Sequence, residues 1–182
     1  MSTLFPDLSL FKESEKTVKV YKKGREVDNR LGSSDCVVVV SSGLLGVYTS
    51  SGSQSGVLLS QLRSGDAFGV SNLFLEEELG TRLFVIEDCL LVFIPKQVIK
   101  TKLATDPEFA ISYNVYLNQK INFLLYRLSL LSLPTAKERV KAFLNIDHFN
   151  FNTKEEIASY LGISRSQLFR ALSDLDKEKE NL

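Results

Sequence analysis

The chain has 182 residues, 44% hydrophobic and 24% charged, with 22 basic residues against 22 acidic ones. This composition fits a soluble globular protein of one large or two small domains and excludes a disordered or membrane-embedded chain. A balanced charge gives no general pull toward nucleic acid, so binding of that kind has to come from a local arrangement.

Residues 1–10 carry no basic stretch followed by an apolar core, so no signal peptide is expected and the cytoplasm is the expected compartment. The longest apolar runs, such as 37–40 and 83–86, are strand-sized and far below the roughly 20 residues of a bilayer span, so no membrane is expected as a partner. Between residues 17 and 100, short apolar or alternating segments follow one another at 18–21, 36–40, 44–48, 57–62, 83–86 and 90–94. Turn-forming clusters at 22–24, 32–34, 50–56 and 64–66 separate them, a pattern that predicts an antiparallel barrel or sandwich. The Ser/Gly stretch 50–56 reads as a hairpin tip. Cys36 and Cys89 are too few for a disulfide framework or a metal quartet and read as buried thiols; no metal site or cofactor is expected.

The pattern changes after Pro95. From 106 to 132 there is one proline, Pro107, and no glycine, and the apolar residues take a helical period. Ala110, Leu117, Ile121, Leu124, Leu128 and Leu131 fall on one seam, spaced 4 and 3 alternately from Leu117 on, with Asn114 in the missing step. So narrow a seam predicts a helix paired with its own copy in a homodimer, the asparagine setting register. Phe109, Tyr113, Tyr116 and Phe123 lie on the other faces and are expected to cover the barrel. Leu133-Pro134-Thr135 ends the helix, because proline lacks the backbone donor and restricts the residue before it.

Two capping boxes follow. In Thr153-Lys-Glu-Glu156 the hydroxyl is placed to take the third amide and the glutamate to reach back, and Ser164-Arg-Ser-Gln167 repeats the arrangement with Gly162 between the two. Two helices of about two and three turns around a tight glycine turn make a helix-turn-helix, with Ile157, Leu161, Ile163, Leu168 and Leu172 packed between them and Ala158 leaving room for the crossing. Such a unit places its second helix in the major groove of double-stranded DNA, N-terminal residues toward the base edges. That end carries Arg165, Ser166, Gln167, Phe169 and Arg170, and Thr153 and Ser164 stand at the groove edge as caps that can also reach phosphates. Arginine suits guanine O6 and N7, and glutamine suits adenine. A cation at a helix N-terminus opposes the helix dipole, so Arg165 reads as a functional choice.

With these residues in hand the chain resembles the Crp/Fnr family of bacterial transcription regulators over nearly its whole length. The resemblance rests on Tyr21-Lys-Lys-Gly24-Arg-Glu-Val27, Ser42-Gly43-Leu-Leu-Gly-Val-Tyr48, Ser64-Gly65-Asp66-Ala-Phe68-Gly69, Ser71-Asn-Leu-Phe74, the run from Glu87 to Pro95, and Gly162-Ile-Ser164-Arg165 to Arg170. It implies an α+β chain with three parts. Residues 1–105 would be a β-roll sensor domain of the cyclic-nucleotide-binding type, a jelly-roll-like double-stranded β-helix, 106–133 a dimerisation helix, and 134–182 a helix-turn-helix domain of the winged kind with its C-terminal wing absent or truncated. It implies a sequence-specific DNA-binding regulator that reads inverted repeats as a homodimer, with RNA polymerase as a further partner if it activates. The effector pocket would be formed by Gly69, Val70, Ser71, Asn72, Leu79, Gly80, Thr81 and Arg82.

Relatives that bind cyclic nucleotide carry a glutamate for the ribose just after the Phe-Gly step and an arginine for the phosphate about ten residues on. Here those places hold Val70 and, by counting, Leu79, with Arg82 three residues away. Valine offers no side-chain acceptor and leucine no charge, so cyclic AMP is not the expected effector, and the small molecule is unassigned. The two separate cysteines and His148, outside the sensor region, provide neither an iron–sulfur nor a haem ligand set. The family normally follows the recognition helix with a β-hairpin wing, whereas this sequence stops at Leu182, as a shortened variant or a truncation, and from Thr135 onward eight basic residues meet eight acidic ones. An alternative is therefore a sensor or protein-interaction module whose helix-turn-helix does not bind DNA. The strands lack histidine, so no enzyme of the metal-dependent barrel kind is expected.

Overall fold

The computed structural model describes residues 4–31, 34–49, 58–74, 80–145 and 153–180. Among the described residues seven strands, β1 (Thr17–Tyr21), β2 (Glu26–Val27), β3 (Arg30–Leu31), β4 (Ser34–Thr49), β5 (Leu58–Leu62), β6 (Ala67–Phe68) and β7 (Thr81–Pro95), precede five α-helices. These are α1 (Lys96–Thr105), α2 (Pro107–Leu131), α3 (Ala136–Leu144), α4 (Lys154–Tyr160) and α5 (Arg165–Glu180). The chain divides into two compact units, Ser2–Gln119 and Lys120–Leu182, and α2 contributes to both.

In the first unit β4 and β7 pair antiparallel almost end to end, from Cys36↔Pro95 to Thr49↔Thr81. Strands β1 and β2 pair with β7, and β3, β5 and β6 with β4, so the described strands form one curled antiparallel sheet. Successive side chains of a strand face opposite sides, and β4 buries both. Val37 and Val39 enter one cluster with Val92, Ile94, Ile99, Phe109, Tyr113 and Tyr116, whereas Cys36, Val38 and Val40 enter another with Leu45, Leu83, Val85, Leu91 and Phe93. Burial on both faces explains why 36–40 is wholly apolar. Cys36 and Cys89 are buried in the second cluster, and burial pushes both thiols up.

Two expectations need correction. Segments 36–40 and 44–48 are parts of one strand, as are 83–86 and 90–94. The polar and glycine residues between the first pair mark register shifts at Val40/Ser42, Ser42/Leu44 and Leu44/Leu45, irregularities that bend a sheet without ending it. Gly43 sits there at φ +91°, and a Cβ on it would overlap the Asp88 carbonyl oxygen, so the bend requires glycine. The expected tip at 50–56 lies outside the described residues; the flanking strands β4 and β5 pair antiparallel, with Tyr48 opposite Leu58.

In the second unit, α3, α4 and α5 pack with the end of α2 around Leu130, Val140, Phe143, Tyr160, Leu161, Leu168, Ala171 and Leu175. Phe123 belongs to this cluster, its ring 5.3 Å from that of Tyr160, and not to the sheet it was expected to cover. The helix break at Pro134 is followed at once by α3, capped by Thr135, whose hydroxyl accepts from the Glu138 N–H while the Glu138 carboxylate accepts from the Thr135 N–H. Two arginines satisfy the end of α4. Arg127 donates to the Tyr160 and Ser159 carbonyls at 3.1 and 3.3 Å, and Arg139 donates to the Leu161 carbonyl at 3.3 Å. Cations at a helix C-terminus meet both the unpaired carbonyls and the negative end of the dipole. No helix among the described residues is long and apolar enough to cross a membrane.

Candidate nucleic-acid interface and effector segment

Helices α4 and α5 are joined by the turn 161–164. The Thr153 hydroxyl accepts the Glu156 N–H at 3.2 Å, and Glu156 is itself buried. At α5 both halves of the expected box form: the Gln167 N–H donates to Ser164 Oγ at 3.2 Å and the Ser164 N–H to Gln167 Oε1 at 2.8 Å. Gly162 takes φ +62°, where a Cβ would stand 2.8 Å from Leu131 Cδ2. Leu161 and Leu168 are fully buried, with Ile157, Ile163 and Leu172 packed at the margin. Helix α5 is longer than the three turns expected, running 16 residues to Glu180.

Leu168, Ala171 and Leu175 bury one face of α5, and that spacing turns Arg165, Ser166, Phe169 and Arg170 to solvent. Arg165 Nη1 pairs with Glu155 Oε1 at 2.7 Å. Phe169 is flanked by two cations, Lys154 Nζ at 4.8 Å and the Arg165 guanidinium carbon at 5.4 Å from the ring centroid. Ser166 Oγ lies 3.0 Å from Ser164 Oγ, and Arg170 is exposed. Sequence reading missed Glu155 and Lys154, which reach Arg165 and Phe169 only across the turn. Glu155 also offsets part of the dipole cost assigned to Arg165. A cleft of about 460 Å³ beside this cluster is lined by Lys154, Phe169, Leu172, Ser173, Asp176 and Lys177.

In the first unit, the residues expected around an effector divide into two groups. Gly69 is buried at φ +85°, Val70 and Asn72 are half-buried, and Ser71 is exposed. Two tyrosines of α2 tie this segment down: Tyr113 Oη donates to the Val70 carbonyl at 3.0 Å, and Tyr116 Oη accepts the Ala67 N–H at 2.8 Å. Burial raises both phenols, that of Tyr113 to about 12. Gly80 is exposed, Thr81 begins β7, and Leu79 lies outside the described residues. Arg82 makes a two-pronged pair with Glu26, Nε and Nη2 each 2.8 Å from a carboxylate oxygen, and its guanidinium lies 4.9 Å from the Phe84 centroid. The pairing lowers the Glu26 carboxyl and raises the guanidinium.

Along α2, Phe109, Tyr113, Tyr116 and Leu130 are buried, while Asn114, Ile121, Leu124 and Leu128 are exposed as the expected seam requires. Leu117 and Leu131 are half-buried within their own chain, and Ile111, Val115 and Leu125 join the exposed apolar face. Counting heptads from leucine to leucine did not single those three out.

Residues 18–106 match the cyclic nucleotide-binding domain family. Similar solved structures include the c-di-GMP responsive global regulator CLP of Xanthomonas campestris, 17% identical with a TM-score of 0.65 over 91% of this chain and 89% of that one. FixK2 from Bradyrhizobium japonicum is 21% identical with a TM-score of 0.63 over 90% and 86%. A variant of CooA from Carboxydothermus hydrogenoformans is 19% identical with a TM-score of 0.71 over 98% and 86%. At these identities the likeness establishes the fold. No curated protein matches the chain. Among the described residues of the matched segment, the two positions weighed for a nucleotide are not set to hold its ribose and phosphate: Val70 has only a backbone acceptor, which Tyr113 uses, and the Arg82 guanidinium pairs with Glu26.

Proposed function

We propose that the chain is a DNA-binding transcription regulator of the Crp/Fnr type, in which α4 and α5 form the helix-turn-helix and a homodimer along α2 reads inverted-repeat operators. The observation that carries this reading is the exposed face of α5, where a fully capped N-terminus presents Arg165, Ser166, Phe169 and Arg170 together. The fold shared with CLP, named as a global regulator, supports it, as does the apolar face of α2. On this reading the β-roll senses something other than cyclic AMP, and the protein works in the cytoplasm, contacting RNA polymerase if it activates.

Selection from a random duplex pool tests the reading. A two-fold dimer is expected to enrich inverted repeats with half-site centres roughly 34–36 Å apart. Arg165→Ala should cost about 1–3 kcal/mol at the selected site and relax one base pair per half-site, whereas Arg170→Ala should weaken all sequences evenly. Selected sites without a dyad, or an Arg165→Ala chain of full affinity and specificity, would show that α5 is not the reader.

A further inference from the structure

We infer that Glu155 sets the specificity of the α4–α5 surface by holding Arg165 against phosphate while leaving it free for a guanine edge; the inference rests on the DNA-binding reading above. Glu155 belongs to the first turn of α4 and Arg165 opens α5, and the turn between them brings Oε1 within 2.7 Å of Nη1. Both side chains are more than half exposed, 56% and 66%, and an ion pair so exposed adds little to the fold. The same guanidinium lies over Phe169, which also carries Lys154. The pair therefore sits in the middle of the surface that would meet DNA.

A carboxylate there affects the two kinds of DNA contact differently. Duplex DNA carries one negative charge per roughly 1.7 Å, and non-specific binding comes almost wholly from neutralising it. A phosphate that meets Arg165 meets an ion pair of no net charge, so the gain from neutralisation is lost and Glu155 is left facing the polyanion. The guanine acceptors O6 and N7 are uncharged, and guanidinium has five N–H donors, so Arg165 can keep one bond to Glu155 and present the rest of its fork to the base. Glu155 thus taxes phosphate contacts and spares the guanine contact. Its neighbours agree with this role. Glu156 is buried, leaving Glu155 as the exposed carboxylate of that turn, and Lys154 is turned onto Phe169.

The test uses the full chain and its Glu155→Gln variant, titrated with a random-sequence duplex and a selected site at several salt concentrations, each in the Arg165 and Arg165→Ala backgrounds. Thermal melting should not change, since the pair is exposed. Glu155→Gln should bind random duplex roughly tenfold more tightly and steepen the log–log salt slope by about 0.9, one more phosphate neutralised. Affinity for the selected site should stay within about threefold, and the gain on random duplex should disappear with Arg165→Ala. A gain that persists with Arg165→Ala is general charge removal and overturns the inference, as does an unchanged ratio of selected to random affinity; in both cases selection of dyadic sites still upholds DNA binding. If the wild-type chain shows no salt-dependent duplex binding, the reading and the inference fall together.

Discussion

Replacing Leu124 and Leu128 of α2 with aspartate tests the homodimer most directly. Both side chains are exposed in the single chain, at 59% and 64%, so polar replacements remove little of its own packing. Burying a whole leucine side chain contributes about 2 kcal/mol, so covering the exposed part of each contributes about 1.2 kcal/mol. Two residues on two protomers then account for about 5 kcal/mol, which at about 1.4 kcal/mol per decade raises the dimer dissociation constant by more than 10³-fold. Four carboxylates brought together without partners add to that penalty. Sedimentation at micromolar concentration should show a dimer for the wild-type chain and a monomer of unchanged helix content for the double variant. The control is Val20→Asp, at an equally exposed apolar residue on β1, which should stay dimeric. A double variant that still sediments as a dimer, or a control that dissociates, would place the interface elsewhere.

Removing the charge that closes α4, by Arg127→Met, keeps the aliphatic stem but loses the bonds to the Ser159 and Tyr160 carbonyls; it should destabilise the second unit by about 2 kcal/mol in denaturant, and a loss below about 0.5 kcal/mol would contradict the capping role. Burial raises the phenols of Tyr113 and Tyr160 to about 12 and that of Tyr116 further. These groups are neutral in both states below pH 10, so their contribution is complete there and is lost as pH rises from 10 toward 12, where the unfolded chain ionises first. Phenolate absorbance from these three should therefore appear together with loss of circular dichroism; titration near pH 10 with the fold intact would refute their burial. Cyclic AMP at millimolar concentration should give no saturable heat in calorimetry, and a micromolar constant abolished by Arg82→Ala would overturn the reading of Val70 and Arg82.

Much of this arrangement is written locally in the sequence. Helix α2 spans 107–131 where the heptad pattern runs, and the positive-φ residues Gly24, Gly65 and Gly162 lie in segments read as turns, whereas Gly43 sits inside a strand and Gly69 just beyond the turn at 64–66. Helix α3 is not among the elements expected from the sequence, although Thr135-Ala-Lys-Glu138 repeats the cap pattern of the next two helices, because nine residues give a weak period. The lengths of β4 and β7 were not legible, because polar and glycine residues inside a bulged strand look like the turn between two strands. The aromatic side of α2 was legible, since Phe109, Tyr113 and Tyr116 fall off the seam and are buried, but the width of the exposed face was not, because Ile111, Val115 and Leu125 lie outside the leucine spacing.

Tyr113 and Tyr116 also tie residues 67–70, part of the segment proposed for the effector, to α2. The Ala67 N–H and the Tyr116 hydroxyl satisfy each other where Tyr116 is 1% exposed, so water cannot replace either partner while the contact persists. Leaving a buried donor unpaired costs about 1–3 kcal/mol, so a displacement of residues 67–70 has either to carry Tyr113 and Tyr116 along or to meet that cost. Because these tyrosines lie on α2, one turn or less from Asn114 and Leu117, a ligand that moved the segment would act on the helix bearing the proposed dimer face through two hydrogen bonds. No cyclic-nucleotide contact is needed for that coupling: Val70 takes part through its backbone carbonyl, which is available whatever side chain the position carries.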